Sequence, residues 1–248
     1  MKKLIYFTFG NNPKFLRLLD LCVKSLNKTN YNGDLLIITD QADAVKKEIK
    51  FQHNVHYLEV PPADLEQSSA NKFKIYQFEY INDYDKIIYC DLDFLWCTSP
   101  DILFDLITED KIYIAQEPGL LSLGYYNAGL TQEEVDFVAE NQVLGFSAGF
   151  FGFKSSMIYV FQELDELFKK NTVKAHCLEQ PTFVTYLFRK NLFDAAFNNL
   201  VIHTGYYYVR NKVRPQNAVA LHFSGKVGDF YHKHTLMFEY YLKAILAP

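Results

Sequence analysis

At 248 residues, with 49% hydrophobic and 22% charged content, the chain has the length and composition of one large α/β domain with a sizeable core. A net charge of −4 gives no bulk electrostatic attraction for nucleic acid. Cys22, Cys90, Cys97 and Cys177 contain no Cys-X-X-Cys pair, so they read as a reduced, cytoplasmic set rather than a zinc site or disulfide framework.

The apolar run that opens Met1–Gly10 is too short for the apolar core of a signal peptide and reads as a first strand, Leu4 to Phe9. No apolar stretch is long enough to span a membrane, and the expected compartment is the cytoplasm. Gly10-Asn-Asn-Pro13 is a loop signal, and Phe15, Leu18, Leu19, Cys22 and Leu26 recur at helical spacing. A turn at Asn30–Gly33 leads to a buried strand, Leu35 to Asp40. A short helix over Ala42 to Lys50 and a strand near Val55 to Val60 follow, closed by Pro61-Pro62. This alternation of strand and helix begins a nucleotide-binding α/β half.

Ser68-Ser69 reads as the cap of a helix with Phe73, Tyr76, Phe78 and Ile81 as apolar positions. Next comes Lys86-Ile-Ile-Tyr-Cys-Asp-Leu-Asp-Phe-Leu-Trp96, around which the chain is organised. Its apolar part reads as a strand buried on both faces, ending in Asp91 and Asp93. Ligands of open α/β sheets bind at the carboxyl ends of strands. With side chains alternating at period two, the two acids leave the strand on the same side. There they repel unless a cation neutralises them, and their oxygen ligands suit manganese or magnesium, which in turn can hold a diphosphate. The bland alternative is a solvated turn or helix cap.

Ser99-Pro-Asp101 then starts a helix, Lys111 to Gln116 is a strand, and Pro118 to Leu130 reads as a loop. Thr131-Gln-Glu-Glu134 matches a capping box. Phe146 to Phe153 is an aromatic strand whose glycines suggest close approach of a ligand or backbone. Helices are expected over Ser155 to Asn171, from Glu179-Gln-Pro-Thr182 to Lys190, and from His232 to Leu246. Ala218 to Phe223 is the clearest late strand, and no composition break divides the chain.

In this order the motifs resemble the GT-A glycosyltransferases, specifically the glycogenin-like family eight. The matching residues are Lys74, seventeen residues before Asp91, then Asp91-Leu-Asp93, Phe146-Ser-Ala-Gly149, Glu179-Gln180 and His222-Phe-Ser-Gly225. The resemblance implies a Rossmann-like, mixed but mostly parallel sheet flanked by helices in a single domain. Its nucleotide-binding half would cover about 1–96 and its acceptor and catalytic half about 97–248. It implies a metal-dependent, retaining hexosyltransferase that uses a UDP-sugar, with manganese or magnesium held by Asp91, Asp93 and His222.

Thr8 and Phe9 would lie near the base and ribose. Lys74, Leu92, Ser147, Ala148, Gly149, Gly225 and Lys226 would contact the nucleotide sugar. Glu179 would orient the donor sugar, while Gln180, a poor nucleophile, would stabilise positive charge at the anomeric carbon during front-face attack. The family commonly has Asn-Ala-Gly where this chain has Ser147-Ala-Gly149. A literal Asn127-Ala-Gly129 precedes a helix and is set aside. After Gly225 the lysine comes early, and Gly228-Asp-Phe230 replaces the usual ending.

Blander readings stand beside these. His222 can be a satisfied core histidine, and Lys74 a solvated helix lysine with Lys72 and Lys86 nearby. Glu179-Gln180 can be the polar first turn of a helix. The alternative functions are an inactive nucleotide-sugar-binding protein and, behind it, a sugar-nucleotide pyrophosphorylase. The latter would need a glycine-rich basic loop that Gly10–Pro13 lacks. The acceptor, whether glycan, protein or lipid, is not legible, and Tyr125, Tyr126, Tyr206, Tyr207 and Tyr208 are candidate contacts.

Overall fold

In a computed structural model, residues 1–10, 12–123, 126–170, 178–203, 217–223 and 230–245 are described. The first half lays down four strands: β1 (Lys3–Phe9), β2 (Asp34–Thr39), β3 (Val55–Glu59) and β4 (Lys86–Cys90). Between them run α1 (Leu16–Asn27), α2 (Ala42–Glu48) and α3 (Leu65–Ala70). The neighbouring pairs β3–β2, β2–β1 and β1–β4 are all parallel, so the strands' carboxyl ends line one edge.

After β4 come β5 (Phe94–Trp96), α4 (Asp101–Leu106), β6 (Ile112–Leu120), α5 (Gln132–Glu140), β7 (Leu144–Lys154) and α6 (Ile158–Lys170). Then follow α7 (Gln180–Lys190), β8 (Phe193–Asp194), β9 (Val201–Ile202), β10 (Ala220–His222) and α8 (Phe230–Tyr240). Seven strands make one sheet in the order β3-β2-β1-β4-β7-β6-β8, and β5-β10-β9 make a small second sheet. β7 enters the large sheet antiparallel to both β4 and β6. The expected mixed, mostly parallel α/β sheet with flanking helices is present.

Alternation along the strands divides the core into two faces. Leu4, Tyr6, Ile87, Tyr89, Phe151 and Phe153 face the layer of α6 and α7. Ile5, Phe7, Phe9, Ile88, Cys90 and Phe150 face α1, whose Leu19, Cys22, Val23 and Leu26 pack on them. Strands covered on both faces are apolar along their buried stretch, which is why Leu4–Phe7 of β1, Leu35–Ile38 of β2 and Ile87–Cys90 of β4 read as unbroken apolar runs. Each large side chain so buried contributes about 1.5–3 kcal/mol before entropy is counted. A third cluster fixes α8 to the rest: Met237, Tyr240 and Tyr241 pack against Leu18 and Leu21 of α1 and Leu95 and Leu221 of the small sheet.

Several local expectations change. Asp64, not Ser68-Ser69, caps α3, accepting from the Gln67 N–H at 2.8 Å. The chain then tightens into a 3-10 helix, Asn71–Gln77, which turns Lys72, Phe73 and Ile75 inward and leaves Tyr76 half-exposed. β6 continues through Pro118, where a loop is expected. The ladder to β7 shifts register between Gln116 and Leu120, an irregularity at which a residue without an N–H is tolerated. The capping box of α5 forms as expected, with both reciprocal hydrogen bonds.

Candidate active site

The acidic pair sits where β4 ends. The ladder between β4 and β7 continues one step past the strand, the Asp91 N–H donating to the Gly149 carbonyl at 2.8 Å. This sets Ser147-Ala148-Gly149 beside Asp91. The chain turns at Leu92-Asp93 and returns as β5, so a tight turn, rather than continued strand pleating, brings the two acids together. β10 pairs antiparallel to β5 with His222 opposite Phe94. The Phe223 N–H donates to the Asp93 carbonyl at 2.9 Å, and the His222 ring stacks on Phe94 at 4.1 Å. One ligand atom from each of Asp91, Asp93 and His222 lies within 4.8 Å of the others.

Gly149 fits this cluster for reasons of space. A Cβ built there would lie 2.7 Å from Asp91 Oδ2, 3.1 Å from Ser147 Oγ and 3.3 Å from His222 Cε1. Any larger residue would push into the space between the acid and the imidazole. The donor set of two carboxylates and one imidazole suits a divalent cation.

Different cations hold the two acids. Lys72, 3% exposed, reaches Asp91 Oδ1 at 3.3 Å and Glu179 Oε1 at 2.7 Å, and donates to the Ala148 carbonyl at 2.9 Å. Its ammonium also lies 4.6 Å from the ring centroid of Tyr89, whose hydroxyl donates to Asp91 Oδ1. Burial opposes the charge on Lys72, but Asp91 and Glu179 outweigh it and raise its pKa. Asp91 is raised by burial, which Lys72 opposes and Asp93 reinforces. Burial also pushes Asp93 up, but Lys233 and His222 overcome it and hold that carboxyl far below the usual range. Lys233 Nζ lies 2.5 Å from Asp93 Oδ2, and His222 Nε2 lies 3.1 Å from Asp93 Oδ1.

Behind His222 stands His203, buried, with its Nδ1 2.9 Å from His222 Nδ1 and its Nε2 3.2 Å from the Ala115 carbonyl. Burial and the neighbouring His222 lower the His203 pKa to about 3, so the ring is neutral. A carbonyl only accepts, so the hydrogen sits on His203 Nε2, and its Nδ1 accepts from His222 Nδ1–H. The other ring nitrogen, His222 Nε2, faces Asp93 Oδ1 at 3.1 Å.

The other expected residues divide. Glu179 and Gln180 open α7 beside β7, where Gln180 Oε1 accepts from Ser147 Oγ and the Ala148 N–H, both at 3.4 Å. Thr8 Oγ1 lies 2.9 Å from the Tyr89 hydroxyl, within the same network. The ring of Phe9 is buried in the α1-side core, and Leu92 is half-buried against two core clusters. Lys74 is also elsewhere, lining a separate depression with Asp64, Asp165 and Lys169, because the 3-10 turn rotates Lys72 inward instead. Tyr126 is buried, its hydroxyl donating to Glu117, and is no acceptor platform. Asn127-Ala-Gly129 lies against α7, where a Gly129 Cβ would meet Thr185. Gly225, Lys226, Tyr125, Tyr206, Tyr207, Tyr208 and Cys177 lie outside the described residues.

Lys72, Lys233, Tyr89 and His203 are the residues the sequence reading passed over.

No protein-family model and no curated protein matches this chain. Among solved structures it is similar to the apo-form glycosyltransferase GlyE of Streptococcus pneumoniae TIGR4, with a TM-score of 0.63 at 14% identity. The chain has a GT-A-like glycosyltransferase fold. The match covers 99% of this chain and 64% of GlyE, so the chain spans less than two thirds of that protein. At this identity the likeness bears on the fold alone.

Proposed function

We propose that the protein is a metal-dependent, retaining glycosyltransferase that moves a hexose from a UDP-sugar to an acceptor hydroxyl. The observation that carries this reading is the convergence of Asp91, Asp93 and His222 at the carboxyl edge of the sheet, within 4.8 Å of one another. Asp91, Asp93 and His222 Nε2 would hold manganese or magnesium. When bound, the metal would neutralise the donor's diphosphate and stabilise the leaving group.

The chain's own residues do the rest. Lys72 holds Asp91 and Glu179 in place and adds fixed positive charge behind the acids. Glu179 and Gln180 stand next to one another at the start of α7, with Lys72 tying Glu179 to Asp91, and the sugar would sit beside them. Glu179 would accept from donor hydroxyls. Gln180 Oε1, oriented by Ser147 and Ala148, would face positive charge as the glycosidic bond breaks. The acceptor hydroxyl would attack from the leaving-group face, so that configuration is retained.

The test is release of UDP from a panel of UDP-sugars, with and without manganese, by the wild type and Asp93→Ala. One donor should be hydrolysed only with manganese, and the variant should be slower by about 100-fold or more. Equal turnover in the variant would sink the assignment of the acidic pair. Donor binding without turnover, even with acceptors supplied, would favour a nucleotide-sugar-binding protein.

A further inference from the structure

One cation in the site has no place in the scheme above. Lys233 comes from α8, more than a hundred residues beyond the acids in sequence, and its Nζ lies 2.5 Å from Asp93 Oδ2. Asp93 is one of the three candidate metal ligands, and its other oxygen is 3.1 Å from His222, a second member of that set. An ammonium at that distance makes a full charge-assisted hydrogen bond with the carboxylate. It takes up one of the two Asp93 oxygens open to a divalent cation and brings like charge to the metal's position.

We propose that Lys233 is a built-in counter-cation that a divalent metal must displace from Asp93. The site would then exchange one cation for another: Lys233 neutralises Asp93 in the metal-free protein, and metal entry frees the ammonium at the rim. The inference rests on the metal reading of Asp91, Asp93 and His222.

Two features make Lys233, and not Lys72, the exchangeable partner. Lys72 is 3% exposed and has three oxygen partners, Asp91, Glu179 and the Ala148 carbonyl. Lys233 is 21% exposed, and Asp93 is the partner it shows among the described residues. A lysine has four rotatable side-chain carbons and three rotatable donors, so Nζ can leave the carboxylate and reach water without moving α8. The helix itself is held by Met237, Tyr240 and Tyr241 in the third core cluster, so losing the ion pair should leave it in place. A freed ammonium beside the acids is well placed to attract an anionic ligand.

The experiment is calorimetric titration with Mn2+ alone, at pH 7 and fixed ionic strength, of the wild type, Lys233→Gln, Lys233→Arg and Asp93→Asn. If Lys233 competes with the metal, Lys233→Gln should bind Mn2+ about tenfold or more tightly than wild type, a gain of about 1.4 kcal/mol per decade. Lys233→Arg, which keeps the charge, should stay close to wild type. That comparison separates competition from a general loosening of the site. Hydrogen exchange along α8 should show all four proteins folded alike there. Equal or weaker binding by Lys233→Gln would overturn the exchange while leaving the metal site standing. If Asp93→Asn binds as well as wild type, or if no variant binds, the metal reading itself falls and the exchange falls with it.

Discussion

Replacing Lys72 by methionine tests the electrostatics of the site most directly. Methionine keeps the length and apolar stem of lysine, so the loss is mainly charge and hydrogen bonds. Removing one partner of a buried ion pair costs about 3–5 kcal/mol, because the other charge stays behind unpaired. Glu179 is 7% exposed and would bear that cost in full, whereas Asp91 is 35% exposed and can be relieved by water. The expected loss is therefore near the lower end, about 3 kcal/mol at pH 7. For a chain of this size that lowers Tm by about 6–12 °C.

The loss should also depend on pH. Burial already raises Asp91, and Lys72 is what opposes it. Without Lys72 its folded pKa rises further above the unfolded value, so the folded variant takes up protons as pH falls. The penalty should be complete at pH 7 to 8 and shrink as pH falls through the raised folded pKa toward the ordinary carboxylate range. The raised pKa of Lys72 itself leaves the wild type unaffected here, since that contribution disappears only at strongly alkaline pH. Urea denaturation at pH 5 and pH 8 measures both terms. Lys74→Met, which touches neither acid, should change stability by no more than about 0.5 kcal/mol. A loss under about 1 kcal/mol for Lys72→Met at pH 8, or one as large for Lys74→Met, would refute the pairing.

Two further substitutions bear on ligand geometry. Gly149→Ala puts a methyl 2.7 Å from Asp91 Oδ2, so the carboxylate must turn away; Mn2+ affinity measured by calorimetry should fall about tenfold or more, with a stability cost of about 1–3 kcal/mol. His203→Leu removes the acceptor behind His222 and should weaken Mn2+ about 10- to 100-fold, while His203→Asn, whose amide oxygen can accept, should recover most of the loss. Equal affinities for the leucine and asparagine variants would mean that His203 only fills space.

The fold was legible because the strands carry their burial in the sequence. Leu4–Phe7, Leu35–Ile38 and Ile87–Cys90 are fully buried and covered on both faces, which favours apolar residues throughout. Asp91, Asp93, His222, Ser147 to Gly149 and Glu179-Gln180 were legible as spaced motifs, and the topology brings them to one edge. Lys72 was not, because a count back from the acids cannot tell an α-helix from a 3-10 turn. The difference in pitch decides whether Lys72 or Lys74 faces inward. Thr8 and Phe9 part for a simpler reason: period two sends Thr8 toward Tyr89 and the Phe9 ring into the other layer. Lys233 and His203 carried no local signal, because their role depends on where α8 and β9 dock.

The charges of the site fall into two groups, each built around a different lysine. On one side Lys72, itself buried, joins Asp91, Glu179 and the Ala148 carbonyl of β7. On the other, Lys233 and His222 meet at Asp93, where α8 and the small sheet come together. A divalent cation between Asp91 and Asp93 would bridge the two groups. The half at Lys72 would fix where the cation sits, because moving Asp91 would leave buried Lys72 and Glu179 to be re-paired. The half at Asp93 would fix how tightly it binds, because on the proposed exchange releasing Lys233 costs only one partly exposed contact. Affinity should therefore be tuned most easily from the C-terminal helix, and position from the 3-10 turn that carries Lys72.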